Sequence, residues 1–361
     1  MKIVTWRMGF AGDVLFSTAA LEGIKRKYPK SELVYGVWPQ YSGVIDTNPH
    51  IDRFVYGDGV ENRVIGTDKF GHPITKRIIH PDGLEYAKQH SNKQWEISHE
   101  KYRLADGEMA YWGEIHARQA AELGLLELED MTSFKPQVYL DASDIVPKPP
   151  NTKIAALGVF SKNGADARLW GMRRGEWGLG RQVPAEVYSR VLASVGGKWE
   201  FERDKWPQLV ESLAERGFRS VQLGGASDPR VPGAVDLCGK LTWRQSMGLL
   251  TEADVCITID SFLLHAAVAR KYALDGSVLS EGTPVVALLG PTDGRAMFPV
   301  DAESAVEVQR RYPRYVEEGC CPCFNSSRFG KGPCRHDNLC MRNITVEDIL
   351  EGVEKALTER G

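Results

Sequence analysis

Residues 2–29 read KIVTWRMGFAGDVLFSTAALEGIKRKYP, and the fold of the N-terminal half follows from them. Lys2 to Trp6 is a short β-branched and aromatic run of the kind that makes a strand. A glycine-bearing turn, MGFAGD, comes next. Val14, Leu15, Ala19, Leu21 and Ile24 then recur at broadly helical spacing up to Lys27, and Tyr28-Pro29 stops the run because proline cannot continue a helix. Downstream, ELVYGVW (32–38) and DRFVYG (52–57) read as second and third strands. Strands alternating with helices predict a parallel sheet with covering helices.

The turn is where chemistry is expected. Gly9 and Gly12 permit tight turning and close approach of a ligand. Asp13 stands at the helix entrance, on the carboxyl edge of the sheet where open α/β folds bind their ligands. Capping is the commoner employment of an aspartate there, so position alone leaves a cap and a site both open. The G-x-x-G spacing departs from G-x-G-x-x-G, and no acidic ribose ligand follows at a convincing position, which argues against dinucleotide binding.

The chain has 361 residues, enough for two α/β domains. With 42% hydrophobic and 26% charged residues it has ordinary globular composition, which excludes a disordered or fibrous chain. A formal charge of -3 argues against a protein built to seek nucleic acid. There is no apolar run of eighteen residues, and the N-terminus reads as a strand rather than a signal peptide. A cytoplasmic location, compatible with contact at the inner membrane face, is the expectation. Cys238 and Cys256 lie in apolar strand-like segments and are expected to be buried, reduced thiols.

From Val60 to about Glu108 the periodicity dissolves, and Glu108 to Leu123 resumes a helix. PKPPN (147–151) reads as a linker. Beyond it KIAALGVF (153–160), SVQLGG (220–225), VCITID (255–260) and TPVVALLG (283–290) read as strands, with helices starting near Trp206, Trp243 and Ser261. Residues 161–203 and 270–281 interrupt this rhythm as insertions. The expected domains are therefore 1–148 and 149–344, with 345–361 as a closing helix.

Three loops of the second half meet at strand carboxyl ends. Gly224 and Gly225 sit in the first and Asp260-Ser261 in the second; Gly290, Pro291 and Thr292 form the third. Asp260-Ser261 precedes a helix whose N–H groups and positive dipole end suit a diphosphate. His265, four residues after Ser261 on nearly the same helix face, can donate to a phosphate or ribose oxygen. Each residue has a plain alternative as cap, turn or half-buried helix residue.

Together these segments resemble glycosyltransferase family 9, the ADP-heptose:lipopolysaccharide heptosyltransferases. That family opens with R-x-G-x-x-G-D and an N-P-x-I-D segment, here Arg7 to Asp13 and Asn48 to Asp52. Its donor half carries D-[ST]-G-x-x-H and G-T-P-V-V-A-L-x-G-P-T, matched at Asp260, Ser261, His265, Gly290, Pro291 and Thr292. Phe262 departs from the small residue usual there. Lys205-Trp206-Pro207 is similar to a K-x-W-P segment, with the lysine one residue closer to tryptophan and Arg203 as an alternate. The resemblance implies a GT-B architecture, two Rossmann-like doubly wound domains facing across a cleft, the first binding acceptor and the second a nucleotide-sugar donor. It implies Asp13 as catalytic base, Lys205, Gly224, Gly225 and the matched residues above as donor ligands, and Arg7, Gly9, Gly12, Arg168 and Arg173 on the acceptor side.

No D-x-D triplet occurs in the chain. Leaving-group stabilisation by a helix terminus and fixed cations is therefore expected, with no cofactor and no metal. The implied reaction inverts the anomeric centre: Asp13 takes a proton from the acceptor hydroxyl as its oxygen displaces nucleoside diphosphate. The implied acceptor is a lipopolysaccharide core or similar glycan or glycolipid. Arg168, Trp170, Arg173, Arg174, Trp177 and Arg181 form a basic, aromatic-interleaved run that also suits a polyanion, which keeps a hydroxymethylated nucleic-acid base as alternative acceptor. A nucleotide-sugar epimerase or a non-catalytic binder is the alternative from another class. Cys320, Cys321, Cys323, Cys334, Cys340 and His336 are enough donors for zinc, though their spacings differ from C-x2-C pairs; the segment also resembles the family's cysteine-bearing tail, which implies a structural reduced-thiol loop ahead of a zinc or disulfide staple.

Overall fold

The structure is a computed structural model that describes residues 1–7, 9–56, 60–67, 73–79, 84–97, 110–160, 172–173, 200–201, 205–290, 292–309 and 339–358. It divides into two compact units, Met1–Ala142 with Ala269–Leu279, and Ser143–Val268 with Ser280–Gly361.

In the first unit β1 (Lys2–Arg7) lies between β2 (Glu32–Val37) and β6 (Lys93–Glu96), with β3 (Arg53–Tyr56) outside β2; all these pairings are parallel. Val4, Trp6, Val34 and Val55 pack on one face with Leu84 and Ala87 of α2 (Leu84–Gln89). Helix α1 (Ala11–Lys27) is buried along much of its length, at Val14 to Leu21, Gly23 and Ile24, beside α3 (Trp112–Glu122) and β7 (Gln137–Leu140). It ends where Tyr28 N donates to Ile24 O at 2.9 Å, just before Pro29, with Lys25, Arg26 and Lys27 complementing the carbonyl end.

The stretch that the sequence leaves without periodicity contains regular structure. Val60–Thr67 (β4) and Pro73–Ile79 (β5) form an antiparallel hairpin with a bulge at Val64/Gly66, and β6 is a sheet strand. β6 is KQWE, and of these only Trp95 is buried, at 1% exposure, too little apolar pattern to announce a strand.

The second unit holds one parallel six-stranded sheet of order β12-β11-β8-β13-β16-β17, made of β8 (Lys153–Gly158), β11 (Phe218–Leu223), β12 (Val235–Asp236), β13 (Val255–Ile259), β16 (Val285–Leu288) and β17 (Ala305–Val308). The two-residue β9 (Met172–Arg173) and β10 (Glu200–Phe201) pair apart from it. The helices of this unit are α4 (Lys205–Glu215), α5 (Trp243–Glu252), α6 (Phe262–Val268), α7 (Gly294–Met297), α8 (Leu339–Arg342) and α9 (Val346–Thr358). Leu209 and Leu213 of α4 and Ile349, Leu350 and Val353 of α9 join the strands in one apolar core. The order of strands reverses between β8 and β13, the topological switch point of a doubly wound fold.

Two expected boundaries are corrected. The linker 147–151 belongs wholly to the second unit, because Asp144 already pairs with Arg244 at 3.1 Å and Lys148 with Asp254 at 2.8 Å. Residues 269–279, expected as an insertion in the second half, join the first unit: β14 (Arg270–Ala273) pairs parallel with β7, and β15 (Val278–Ser280) extends it. Among the described residues no helix is long and apolar enough to cross a membrane.

Candidate functional site

In the first unit β1 and β2 run in register from Lys2↔Glu32 to Arg7↔Val37. Their carboxyl ends therefore deliver two segments to one edge, the glycine loop before α1 and the 3-10 turn Pro39–Val44. Arg7 closes β1. Its Nη1 donates to Ile97 O at 2.9 Å, and its Nη2 lies 3.3 Å from Asp13 Oδ1. The other carboxylate oxygen, Oδ2, accepts the Phe10 N–H at 2.8 Å. Helix α1 begins earlier than its apolar pattern suggests: Phe10 is the extended N-cap (φ -81°, ψ 173°) and Asp13 is the third helical residue. The aspartate thus reaches back to satisfy the cap's amide rather than capping from outside. It does so while 23% of its side chain stays exposed.

Gly9 is demanded by this arrangement. A Cβ there would stand 2.5 Å from Asp13 Oδ2, 2.7 Å from Asp13 Cβ and 2.9 Å from Arg7 Nε. Asp13 Cβ is anchored to the helix and cannot swing aside. If Asp13 is the base that the resemblance implies, Gly9→Ala is expected to displace its carboxylate and lower kcat about a hundredfold, since a small misplacement of such a group is that costly. Steady-state turnover of this variant checks it; a loss below threefold would mean that the loop adapts.

Phe10, 51% exposed, meets Tyr41 edge to face at 6.1 Å and 76°. Partial burial, and then the Asp13 charge, push the Tyr41 hydroxyl above its ordinary range. On β2 the fully buried Tyr35 shares a 2.5 Å hydrogen bond with Ser17 Oγ, and burial pushes its hydroxyl far upward. None of these three tyrosine and phenylalanine side chains stands out in the sequence. The signal available for Tyr41 is its place directly after the second strand, on the same edge as Asp13.

In the second unit the switch point is formed by Gly158, Thr258 and the loop after β13. Gly158 and Thr258 are register partners, and a Cβ on Gly158 would come within 2.9 Å of Thr258 Cβ. Thr258 Oγ1 lies 3.2 Å from both Gly158 O and Ser261 Oγ. Asp260, 6% exposed, accepts the Thr292 hydroxyl at 2.6 Å, and Thr292 is wholly buried. Gln309 Nε2 holds the same loop through Gly290 O at 3.1 Å and Thr292 O at 2.8 Å, a clamp that no motif announces. Asp293 then caps α7 through Arg295 N at 3.0 Å. Around the first glycine pair, Gly225 N donates to Asp228 Oδ2 at 2.8 Å and Gly239 N to Gly224 O at 2.8 Å.

The structure thus brings Asp260, Ser261, His265, Gly290 and Thr292 together around β13 and β16. His265 is 5% exposed on α6. Helix α6 spans only seven residues, so its macrodipole is weaker than the sequence suggests, and fixed loop groups must carry more of any anion binding. Phe262, the departure from a small residue, turns its ring onto Trp243, edge to face at 4.8 Å. Lys205 opens α4 as expected, but its ammonium donates to the carbonyls of Arg342 and of Ile344, the latter at 3.1 Å. This ties α4 to the tail. Arg168, Pro291 and Cys320 to His336 lie outside the described residues, and Arg173 is described by its backbone in β9 alone. Cys238 and Cys256 are buried free thiols, and burial pushes Cys238 up to about 12, which keeps it protonated.

Residues 198–325 match the sequence model of Glycosyltransferase family 9 (heptosyltransferase). Lipopolysaccharide heptosyltransferase 3 of Escherichia coli (strain K12) is 20% identical over 98% of this chain and 97% of its own length. Among solved structures, the family 9 glycosyl transferase from Veillonella parvula DSM 2008 superposes with TM-score 0.62 at 15% identity, covering 99% of this chain and 97% of that one. The E. coli ADP-heptose lps heptosyltransferase II gives 0.60 at 13%, covering 100% and 99%. The fold is GT-B, and the expected resemblance to family 9 holds.

Proposed function

We infer that this chain, a family-9-like glycosyltransferase, moves a heptose or related sugar from a nucleotide diphosphate to a hydroxyl of a lipopolysaccharide-core glycan or glycolipid. One observation carries the chemistry. The Asp13 carboxylate is held by the Phe10 amide and the Arg7 guanidinium on a glycine loop at the sheet's carboxyl edge, and remains partly exposed there. In this reading it accepts the acceptor's proton as the acceptor oxygen bonds to the anomeric carbon. The bond from that carbon to the diphosphate oxygen breaks, nucleoside diphosphate leaves, and the configuration inverts. Donor binding falls to the loops of the second unit, with Asp260, Ser261, His265, Gly290 and Thr292 as the groups nearest the switch point.

The lipopolysaccharide acceptor is supported by the names of the relatives, and the absence of D-x-D triplets supports a metal-independent reaction. The test is a screen of ADP, UDP and GDP by thermal shift, followed by turnover of the best nucleotide's sugars in EDTA. At a hundred times its dissociation constant, one nucleotide is expected to stabilise the protein by about 2.7 kcal/mol. Failure of all three to raise the Tm would sink the donor assignment, and strict dependence on a divalent ion would overturn metal independence.

A further inference from the structure

Exposed apolar residues are ordinary when they stand alone, and Leu123, also 51% exposed, needs no explanation. Phe10 differs in how it is fixed. Its N–H donates to Asp13 Oδ2 at 2.8 Å, and its carbonyl accepts the Val14 N–H at 3.0 Å, so its Cα cannot drift from the carboxylate. Tyr41 meets it edge to face at 6.1 Å and 76°, and half of Phe10 remains exposed. Tyr41 stands on the 3-10 turn Pro39–Val44 after β2, at the sheet edge that also carries the Asp13 loop, and burial, then the Asp13 charge, hold its hydroxyl above its ordinary range.

An exposed apolar ring, a phenolic hydroxyl and a carboxylate on two segments at one sheet edge match the surface of a pyranose, which has a C–H face and a rim of hydroxyls. A phosphorylated ligand would want a cation instead, and the guanidinium here is already engaged by Asp13 and Ile97 O. We propose that Phe10 and Tyr41 form the subsite for the acceptor's sugar ring. Phe10 lies against its C–H face and Tyr41 bonds a ring hydroxyl, which presents a neighbouring hydroxyl to Asp13. This rests on the reading of Asp13 as the base.

The probe is methyl α-D-mannopyranoside, followed by saturation-transfer NMR on the full chain, with inositol hexakisphosphate as the anionic comparison. Transfer to the pyranoside's ring C–H protons is expected with wild type and Phe10→Trp, and a fall of about five- to tenfold with Phe10→Ala. Leu123→Ala controls for loss of any exposed apolar group and should bind as wild type does. Asp13→Asn should bind the pyranoside as well. Absence of transfer to wild type, equal transfer to Phe10→Ala, or stronger binding of the hexakisphosphate at this loop would overturn the subsite. Turnover separates the two ideas: full activity in Asp13→Asn defeats the base assignment, whereas unchanged pyranoside binding in Phe10→Ala defeats only the subsite.

Discussion

Asp13→Asn is expected to lower kcat about a thousandfold, within the range that a positioned general base supplies. The substitution is nearly isosteric, so the oxygen that accepts the Phe10 N–H can stay in place and the loop should keep its shape. What disappears is the capacity to take up a proton, together with the charge facing Arg7. That pair is 16% and 23% exposed and lies at 3.3 Å, so its loss should cost folding only about 1 kcal/mol, close to the upper value for screened pairs. The proposed donor ligands lie in the other unit, so the nucleotide-induced rise in Tm should persist. The measurement is release of nucleoside diphosphate under saturating donor and acceptor. A loss under tenfold would return Asp13 to its structural role as the group that satisfies the N-cap amide. A pure binding protein would show no turnover to lose.

How much of this was legible in the sequence depends on the length of the pattern that carries each element. Strands such as VCITI and VVAL, buried at every position, and α1, with its proline stop, were readable because their apolar runs are continuous or helical in period. The four-residue β6 and β7 were not readable, and neither was the return of residues 270–273 to pair with β7. A parallel pairing between strands over a hundred residues apart leaves no local trace. The domain boundary was misplaced for a related reason. Prolines mark a stiff segment, but only the Asp144–Arg244 and Lys148–Asp254 pairs reveal which unit holds it. At the site, glycines and charged residues were visible, while the groups that fix them were not. Gln309 acts through backbone carbonyls, and Tyr41 through position alone.

Removing the hydroxyl that Thr292 gives Asp260 should have the second large effect. Thr292→Val keeps the shape of a fully buried side chain but leaves Asp260 Oδ2 without that donor, and Asp260 is only 6% exposed. Losing a buried hydrogen bond to a charged group costs about 1.5–3 kcal/mol. In a unit of this size 2 kcal/mol corresponds to roughly 4–8 °C in Tm. Thr292→Ser, which retains the hydroxyl, should lose much less. Asp260→Ala breaks the same bond from the other side, so the double variant should be less destabilised than the two single changes combined, by about 1–2 kcal/mol of coupling. The functional consequence follows from place. The bond joins the loop after β13 to the loop after β16, the two segments that carry the proposed donor ligands on one side of the switch point. Thr292→Val should therefore weaken nucleotide protection as well as stability. Loss of Tm with an undiminished nucleotide shift would show that the bond only holds the fold and that the donor's phosphates are gripped elsewhere in the unit.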